Sequence, residues 1–362
     1  MNRAELEIRK QQLEKDVAKY YNMQMAKKIQ LNSAYGAIGN QYFRFYDIRQ
    51  ALAITKSGQL SIKWIEARIN EYLNKLLSTE DIDYVVASDT DSLYITFDKL
   101  IEKFKPKNPI DFLDKVATDR IEPFIDKAYQ ELADIMNAFD QKMFMKRETI
   151  CDKGIWTAKK RYMLNVYDNE GVRYQKPKLK MMGIEAIKSS TPQVCRDAIK
   201  KAIDIIMTKD EKTLQTYIVE FKEKFSSLPF EEVAFPRGVS ELNKYDSTVG
   251  TVFKNFEIMK GTPLHIRGAL IYNNCIKERK LLKKYQTIKS GEKIKYCYMK
   301  EPNPLRQNVL SIINVLPQEF GMSEYIDYET QFNKSFLEPL KLILDKIDWA
   351  TEKRATLEDF FS

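Results

Sequence analysis

Between Met1 and Tyr35 the chain has neither proline nor glycine, and Lys, Glu, Gln, Ala and Met predominate. These residues favour helix, so the stretch predicts one helix of about thirty residues, roughly 45 Å long. Its Leu6, Leu13, Val17 and Tyr20 or Tyr21 make a thin apolar stripe. Such a stripe is too narrow to organise a core and suits packing on a second long helix. No such helix precedes it, so the expectation is that the sequence opens in the middle of a larger architecture whose other helix comes from elsewhere.

Gly36 and Gly39 close this helix. A second helix is expected from about Arg49 to Leu77, with Ile54, Leu60, Trp64, Ala67 and Leu73 apolar. The period then changes. Tyr84-Val85-Val86-Ala87 and Leu93-Tyr94-Ile95-Thr96-Phe97 are β-branched and aromatic runs around Ser88-Asp89-Thr90-Asp91-Ser92, which reads as a hairpin with carboxylates at its tip. A helix over about 110–139 leads to a second hairpin, with strands Gly154 to Val166 and Gly171 to Tyr174 turned by Asp168-Asn169-Glu170-Gly171. The remainder reads as mainly helical, with a start at Thr191-Pro192, helical spacing over Val194–Met207 and Leu214–Phe225, and an irregular stretch from Leu228 to Gly268.

Composition narrows the chemistry. His265 is the sole histidine, and the four cysteines, Cys151, Cys195, Cys275 and Cys297, show no Cys-x-x-Cys spacing. A His- or Cys-built zinc site and a disulfide framework are therefore not expected, and a catalytic metal would need oxygen ligands. No apolar run is long enough to span a bilayer, and the charged N-terminus lacks a secretory core, so a cytoplasmic location without membrane association is expected. The net charge of +8 is mild, but Lys277 to Lys300 holds nine Lys or Arg against two acids, interleaved with Tyr285, Tyr296 and Tyr298. That suits phosphate contacts along a nucleic-acid backbone, although a solvated charged face would look the same.

Two acids clustered at a hairpin tip give up the turn stability that Gly or Asn would provide, which asks for a reason. Asp89 and Asp91 can converge on divalent cations, and an oxygen-rich site suits magnesium. An EF-hand loop is excluded because Leu93 stands at its fifth position and the expected glycine is missing. On the first helix, Lys28, Asn32 and Tyr35 fall at i, i+4 and i+7 and so share a face. An ammonium there can neutralise a triphosphate, an amide and a phenol can lie against a base pair, and Gly36 permits close approach. Taken alone, each of these features is also compatible with a solvated turn or an exposed polar face.

Together, Lys28-x-x-x-Asn32-Ser33-x-Tyr35-Gly36 and the later Asp89-Thr90-Asp91-Ser92 resemble motifs B and C of family B DNA polymerases. Lys159-Lys160-Arg161-Tyr162 resembles a third element of that family. Phe144-Met145-Lys146-Arg147-Glu148 resembles the acidic strand beside its metal site. The wording of Ala37-Ile38-Gly39-Asn40, Met143-Phe144-Met145 and His265-Ile266-Arg267-Gly268 resembles that of the replicative polymerases of T-even-like bacteriophages.

The resemblance implies an α+β, right-hand polymerase architecture: a second fingers helix over 1–40, a palm with an antiparallel sheet over 41–183, a mostly helical thumb over 184–355 and a clamp-binding-like tail over 356–362. It implies template-directed DNA synthesis from dNTPs on primer-template DNA, with two Mg2+ ions or Mn2+ as substitute. Asp89 and Asp91 would be the metal ligands and catalytic acids, with Glu148 as an outer acid. Lys28 would meet the triphosphate and donate a proton to the leaving pyrophosphate. Asn32, Tyr35, Gly36 and Thr90 would line the nucleotide pocket, and Lys159, Lys160, Arg161 and Tyr162 would hold the primer end. Leu357, Phe360 and Phe361 would dock on a sliding clamp, although Arg354 stands where that motif often has Gln and the tail could instead pack on its own thumb.

One departure from the family pattern matters. The first palm motif, an Asp followed by a Ser-Leu-Tyr-Pro-Ser-like run, and the acidic signature of a proofreading exonuclease do not occur in these residues. The expectation is a split enzyme whose N-terminal chain supplies them. The rival readings are a polymerase relic that binds DNA or a clamp without catalysis, and a two-metal nuclease.

Overall fold

In the computed structural model, residues 2–246 and 261–353 are described. They form two compact units, Met1–Arg147 and Glu148–Ser362. Helices and antiparallel sheets alternate through both, so the expected α+β class holds.

In the first unit, α1 (Arg3–Ile38) starts at a reciprocal cap: Asn2 accepts from the Glu5 amide and Glu5 accepts from the Asn2 amide. The helix runs 36 residues and buries none of them. Its C-terminal end leans on α2 (Ile48–Leu77), where Tyr35 shares a 2.8 Å hydrogen bond with Thr55 and the Asp47 amide donates to the Ile38 carbonyl. Asp47 caps α2 through the Arg49 amide. Ser61, Ile65, Ile69, Leu73 and Leu77 recur every four residues along α2 and make its buried face. Ile54 and Leu60, expected on that face, are exposed instead, because they point away from the sides of α2 that α1 and the core cover.

The hairpin β1 (Val85–Asp89) and β2 (Ser92–Ile95) follows as expected, paired Asp89 to Ser92 at its tip. After α3 (Asp98–Phe104), the helix expected over 110–139 is broken into α4 (Pro109–Val116), a wide π turn at Ala117–Ile121, and α5 (Glu122–Ile135). Pro123 explains the break, since it lacks an N–H and its ring crowds the carbonyl four residues back. Ile65, Ile69 and Leu73 pack with Tyr84, Val85, Leu100, Ile125 and Tyr129 in one core, and the Trp64 indole N–H donates to the Ala128 carbonyl at 2.8 Å.

The second unit opens with a three-stranded antiparallel sheet, β3 (Thr149–Ala158), β4 (Arg161–Asn169) and β5 (Val172–Met182). This corrects the expected two-stranded hairpin. The run Gly154–Val166, taken as one strand, turns back on itself at Lys159-Lys160, and Tyr162 pairs with Trp156. Lys160 sits at φ 60°, and Gly183, at φ 65°, lies so close to the Lys160 carbonyl that a Cβ there would collide with it. The Asp168–Gly171 turn between β4 and β5 is as expected.

Next come α6 (Gln193–Thr208) and α7 (Glu211–Ser226). The stretch expected to be irregular holds α8 (Phe230–Val233), β6 (Phe235–Gly238), α9 (Leu242–Asp246) and the start of α10 (Leu264–Glu278). A further sheet, ordered β6, β7 (Lys293–Tyr298), β8 (Val309–Ile312), joins these helices. α11 (Tyr328–Phe332) and α12 (Glu338–Leu344) flank a second π turn, again just before a proline, Pro339. Phe221, Phe225, Phe332 and Phe336 interlock at 4.8–5.8 Å between ring centres in this unit's core.

Candidate functional site

The base of the hairpin, where the chain enters β1, is held by two asparagines that the sequence reading passed over. Asn70 and Asn74 stand one turn apart on α2, and Asn74 donates to the Ile82 carbonyl at 2.8 Å while accepting from the Ile82 amide at 3.2 Å and the Thr79 hydroxyl at 2.8 Å. Asn70 accepts from the Tyr84 amide and donates to Asp83, both at 2.8 Å. Their side chains thus mimic a strand partner for the chain entering β1. The available signal was two Asn at i, i+4 inside a helix, a residue that costs helix stability unless its amide is used.

At the tip, Thr90 adopts φ 58° and donates to the Asp89 carboxylate at 3.0 Å. A β-branched residue in the left-handed region is strained, and such strain concentrates at functional sites. The Asp91 amide reaches the Asp89 carbonyl at 2.6 Å, and the Ser92 hydroxyl donates to the same carbonyl at 3.1 Å. Asp89 is partly buried, whereas Thr90 and Asp91 are exposed. The hairpin therefore holds two carboxylates on one tight, internally bonded turn.

Among the described residues, no group of three or more His, Cys, Asp or Glu side chains converges into a metal site. Two carboxylates still fit magnesium in kind, because that ion binds through one or two carboxylates with water and substrate phosphates completing its shell.

Lys28, Asn32, Tyr35 and Gly36 lie on α1 as expected, and all four are exposed. Tyr35 is additionally fixed by its bond to Thr55, so of this face it is the member with a defined orientation. Glu148 lies just ahead of β3 in the second unit and pairs with Lys180 at 2.5 Å. In the β3–β4 turn, Lys159 and Lys160 are exposed. Arg161 is engaged by Glu185 at 2.6 Å, and Tyr162 is buried against Trp156. The two lysines are thus the exposed members of that motif, and the other two anchor the turn. Leu357, Phe360 and Phe361 lie outside the described residues.

In the basic stretch, Lys284 and Tyr285 both bond Glu319, whose carboxyl is drawn down to about 2, first by the Lys284 ammonium. Lys295 donates to the Glu231 carbonyl at 2.9 Å. Lys277, Lys280, Lys283, Lys289 and Lys293 are exposed. Among the described residues, no helix is long and apolar enough to cross a membrane.

Sequence comparison places the chain among known proteins. The pattern of DNA polymerase family B matches residues 2–106, and that of divergent family B DNA polymerases matches residues 79–223. The Asp89–Ser92 turn falls in both matches. A DNA-directed DNA polymerase of Enterobacteria phage T4 is 37% identical over 356 residues, covering 93% of this chain and 38% of the phage protein. One of Escherichia phage RB69 is 39% identical over 358 residues, with the same coverage. A DNA polymerase of Invertebrate iridescent virus 6 is 26% identical over 217 residues, or 58% of this chain and 16% of that protein. The chain thus spans 38% of the length of the two phage relatives.

Proposed function

The chain belongs to DNA polymerase family B, and from that membership we propose that it performs template-directed DNA synthesis in phage replication, in company with N-terminal polymerase sequence on a separate chain. The observation that carries this reading is the strained Asp89-Thr90-Asp91 turn, at the tip of a hairpin whose entry strand is tied to α2 by Asn70 and Asn74. A merely solvated loop has no need of such bracing.

In this proposal α1 is the second fingers helix, residues 41–183 form the palm and residues 184–355 the thumb. Asp89 and Asp91 would hold Mg2+, or Mn2+ in its place, with Glu148 as an outer acid. When bound, the metal supplies activation of the primer 3′-hydroxyl and charge neutralisation at the phosphates. The chain's own groups do the positioning. Lys28 offers an ammonium to the triphosphate of the incoming dNTP and a proton to the departing pyrophosphate. Asn32 and Tyr35 bracket the new base pair, with Tyr35 set by Thr55, and Gly36 and Thr90 leave room for the nucleotide. Lys159 and Lys160 take phosphates of the primer end, on a turn that Arg161 and Tyr162 anchor. Holding the reactants in line and stabilising developing charge provide most of the acceleration in such a reaction.

The need for further polymerase sequence rests on surface chemistry. Of the large apolar side chains exposed among the described residues, 26 lie in the first unit and seven in the second, although the first is the shorter. A surface this apolar marks an interaction face. On α1, Leu6, Leu13, Val17 and Tyr20 project from the side that Tyr35 turns toward α2, so a partner helix lying there would bury them. A sliding clamp reached through Leu357, Phe360 and Phe361, and a cytoplasmic site of action, complete the proposal.

The test is incubation of labelled primer-template with dNTPs and Mg2+, with and without the N-terminal polymerase portion. Extension in the mixture supports the reading. Shortening of the primer favours a nuclease, and a mobility shift without extension favours a DNA-binding relic.

A further inference from the structure

Glu185 is an acid set behind a run of cations. It opens a single turn of 3-10 helix, Glu185–Ile187, between β5 and α6. Ile184 and Ala186 on either side of it are fully buried in the second unit's core, together with Met163 of β4. The backbone of Glu185 is therefore fixed by its neighbours. Its carboxylate is largely covered, at 18% exposure, and meets two cations: it accepts from the Arg161 guanidinium at 2.6 Å and from the Lys188 ammonium at 2.8 Å.

Arg161 relies on that contact. Its stem crosses Gly183, whose missing Cβ would stand 3.0 Å from the Arg161 Cγ, and its Nε is buried with no hydrogen-bond partner among the described residues. Exposed ion pairs carry little, but removing one partner of a covered pair leaves the other charge uncompensated. Arg161 is also the first residue of β4, directly after Lys159 and Lys160, and its carbonyl accepts from the Thr157 hydroxyl at 3.3 Å. The way the β3–β4 turn presents its two lysines is thus set through Arg161, and Arg161 is set by Glu185.

We infer that Glu185 is a positioning residue for primer binding: it fixes Arg161, and through it the Lys159-Lys160 turn, so that an acid strengthens the hold on an anionic partner. This rests on the proposed function, in which those lysines take the primer's phosphates. Glu185 lies outside the Lys159–Tyr162 motif and at the start of the proposed thumb, so the same carboxylate ties the grip on the primer end to that domain. The sign of the effect separates positioning from simple charge. Removing an acid near bound DNA raises affinity when charge alone acts, and leaves the salt slope of binding the same or steeper. Loss of ordered phosphate contacts lowers affinity and makes the slope shallower, by about 0.9 per contact.

The experiment measures binding of recessed primer-template DNA by the full chain, mixed with the N-terminal polymerase portion, by fluorescence anisotropy across a salt series. Glu185→Gln keeps the shape and loses the charge. The expected result is weakening by at least about fivefold near 0.1 M salt, with a slope shallower by about 1–2. Glu185→Asp, with the charge on a shorter arm, should recover part of both. Arg161→Gln should lose at least as much, and adding Glu185→Gln to it should make matters no worse, because both act through one contact. In the DNA-free chain, amide exchange over residues 158–162 should quicken in Glu185→Gln and stay unchanged over α7, which distinguishes a loosened turn from general unfolding. Affinity unchanged or raised in Glu185→Gln, an unaltered salt slope, additive effects in the double variant, or exchange that stays unchanged at the turn or quickens equally throughout the chain overturns the inference. Primer extension by the same mixtures keeps the two claims apart. Extension by the parent with an indifferent Glu185 sinks this inference alone, and a parent mixture that neither binds nor extends the primer sinks the proposed function as well.

Discussion

Replacing Asn74 by alanine should release the carboxylate hairpin without touching a carboxylate. The side chain makes three bonds to the chain leading into β1: to the Ile82 carbonyl, from the Ile82 amide and from the Thr79 hydroxyl. A fourth, to the Asn70 carbonyl, is redundant because that group belongs to the helix ladder. At about 1 kcal/mol for each of the three, less what water restores at this half-buried position, the loss is about 2–3 kcal/mol. Amide exchange in the first unit's core, at Ile69, Leu73 and Val85, should then accelerate by about 30- to 150-fold under conditions where exchange reports opening. Primer extension by the reconstituted enzyme should fall with DNA affinity largely retained. Asn74→Asp keeps the acceptor and loses the donor, so its effect should be intermediate. A change in exchange below about twofold in Asn74→Ala would refute the claim that this amide carries the hairpin.

The remaining predictions concern the second unit and the thiols. Gly183→Ala should lower the melting temperature markedly, because the new methyl meets the Lys160 carbonyl in a left-handed backbone. Gly171→Ala, at φ 84° with open space around it, should cost only about 1 kcal/mol, from backbone strain alone. Glu319 should titrate near 2 in a carboxyl-resolved NMR experiment and move back toward the ordinary Glu range in Lys284→Met. Because its folded-state value is depressed, whatever this contact contributes is present above the ordinary Glu range and is lost as pH falls toward 2. Burial pushes the Cys195 thiol up to about 12 and those of Cys151 and Cys275 to about 11, so alkylation at pH 8 should be slow in the native chain and complete on unfolding.

The elements that could be read from sequence are those whose signal is local. The unbroken helix former run of α1, the change to period two at Tyr84, and the Asp168-Asn169-Glu170-Gly171 turn each carry their own chemistry, and each appears where expected. The β3–β4 turn was missed because Lys159-Lys160 has no residue that favours a turn. What permits it is a glycine 23 positions away, Gly183, which leaves space for the Lys160 carbonyl. The exposure of Ile54 and Leu60 was hidden for a related reason: periodicity marks a face as apolar but does not say whether this chain covers it. At the site, the acids and the α1 face were visible as motifs. The bracing by Asn70 and Asn74, and the commitment of Arg161 to Glu185, depend on long-range partners.

The most direct test of the central claim, that Asp89 and Asp91 are the metal-holding acids of DNA synthesis, is single-turnover nucleotide incorporation by Asp91→Asn in the reconstituted enzyme. Asp91 is exposed and has no structural bond through its carboxylate among those described, so folding and primer-template affinity should match the parent. The account predicts a fall in the incorporation rate of about a thousandfold or more, on the order of 4 kcal/mol in the barrier. Incorporation at the parent rate, with intact DNA binding, would contradict it.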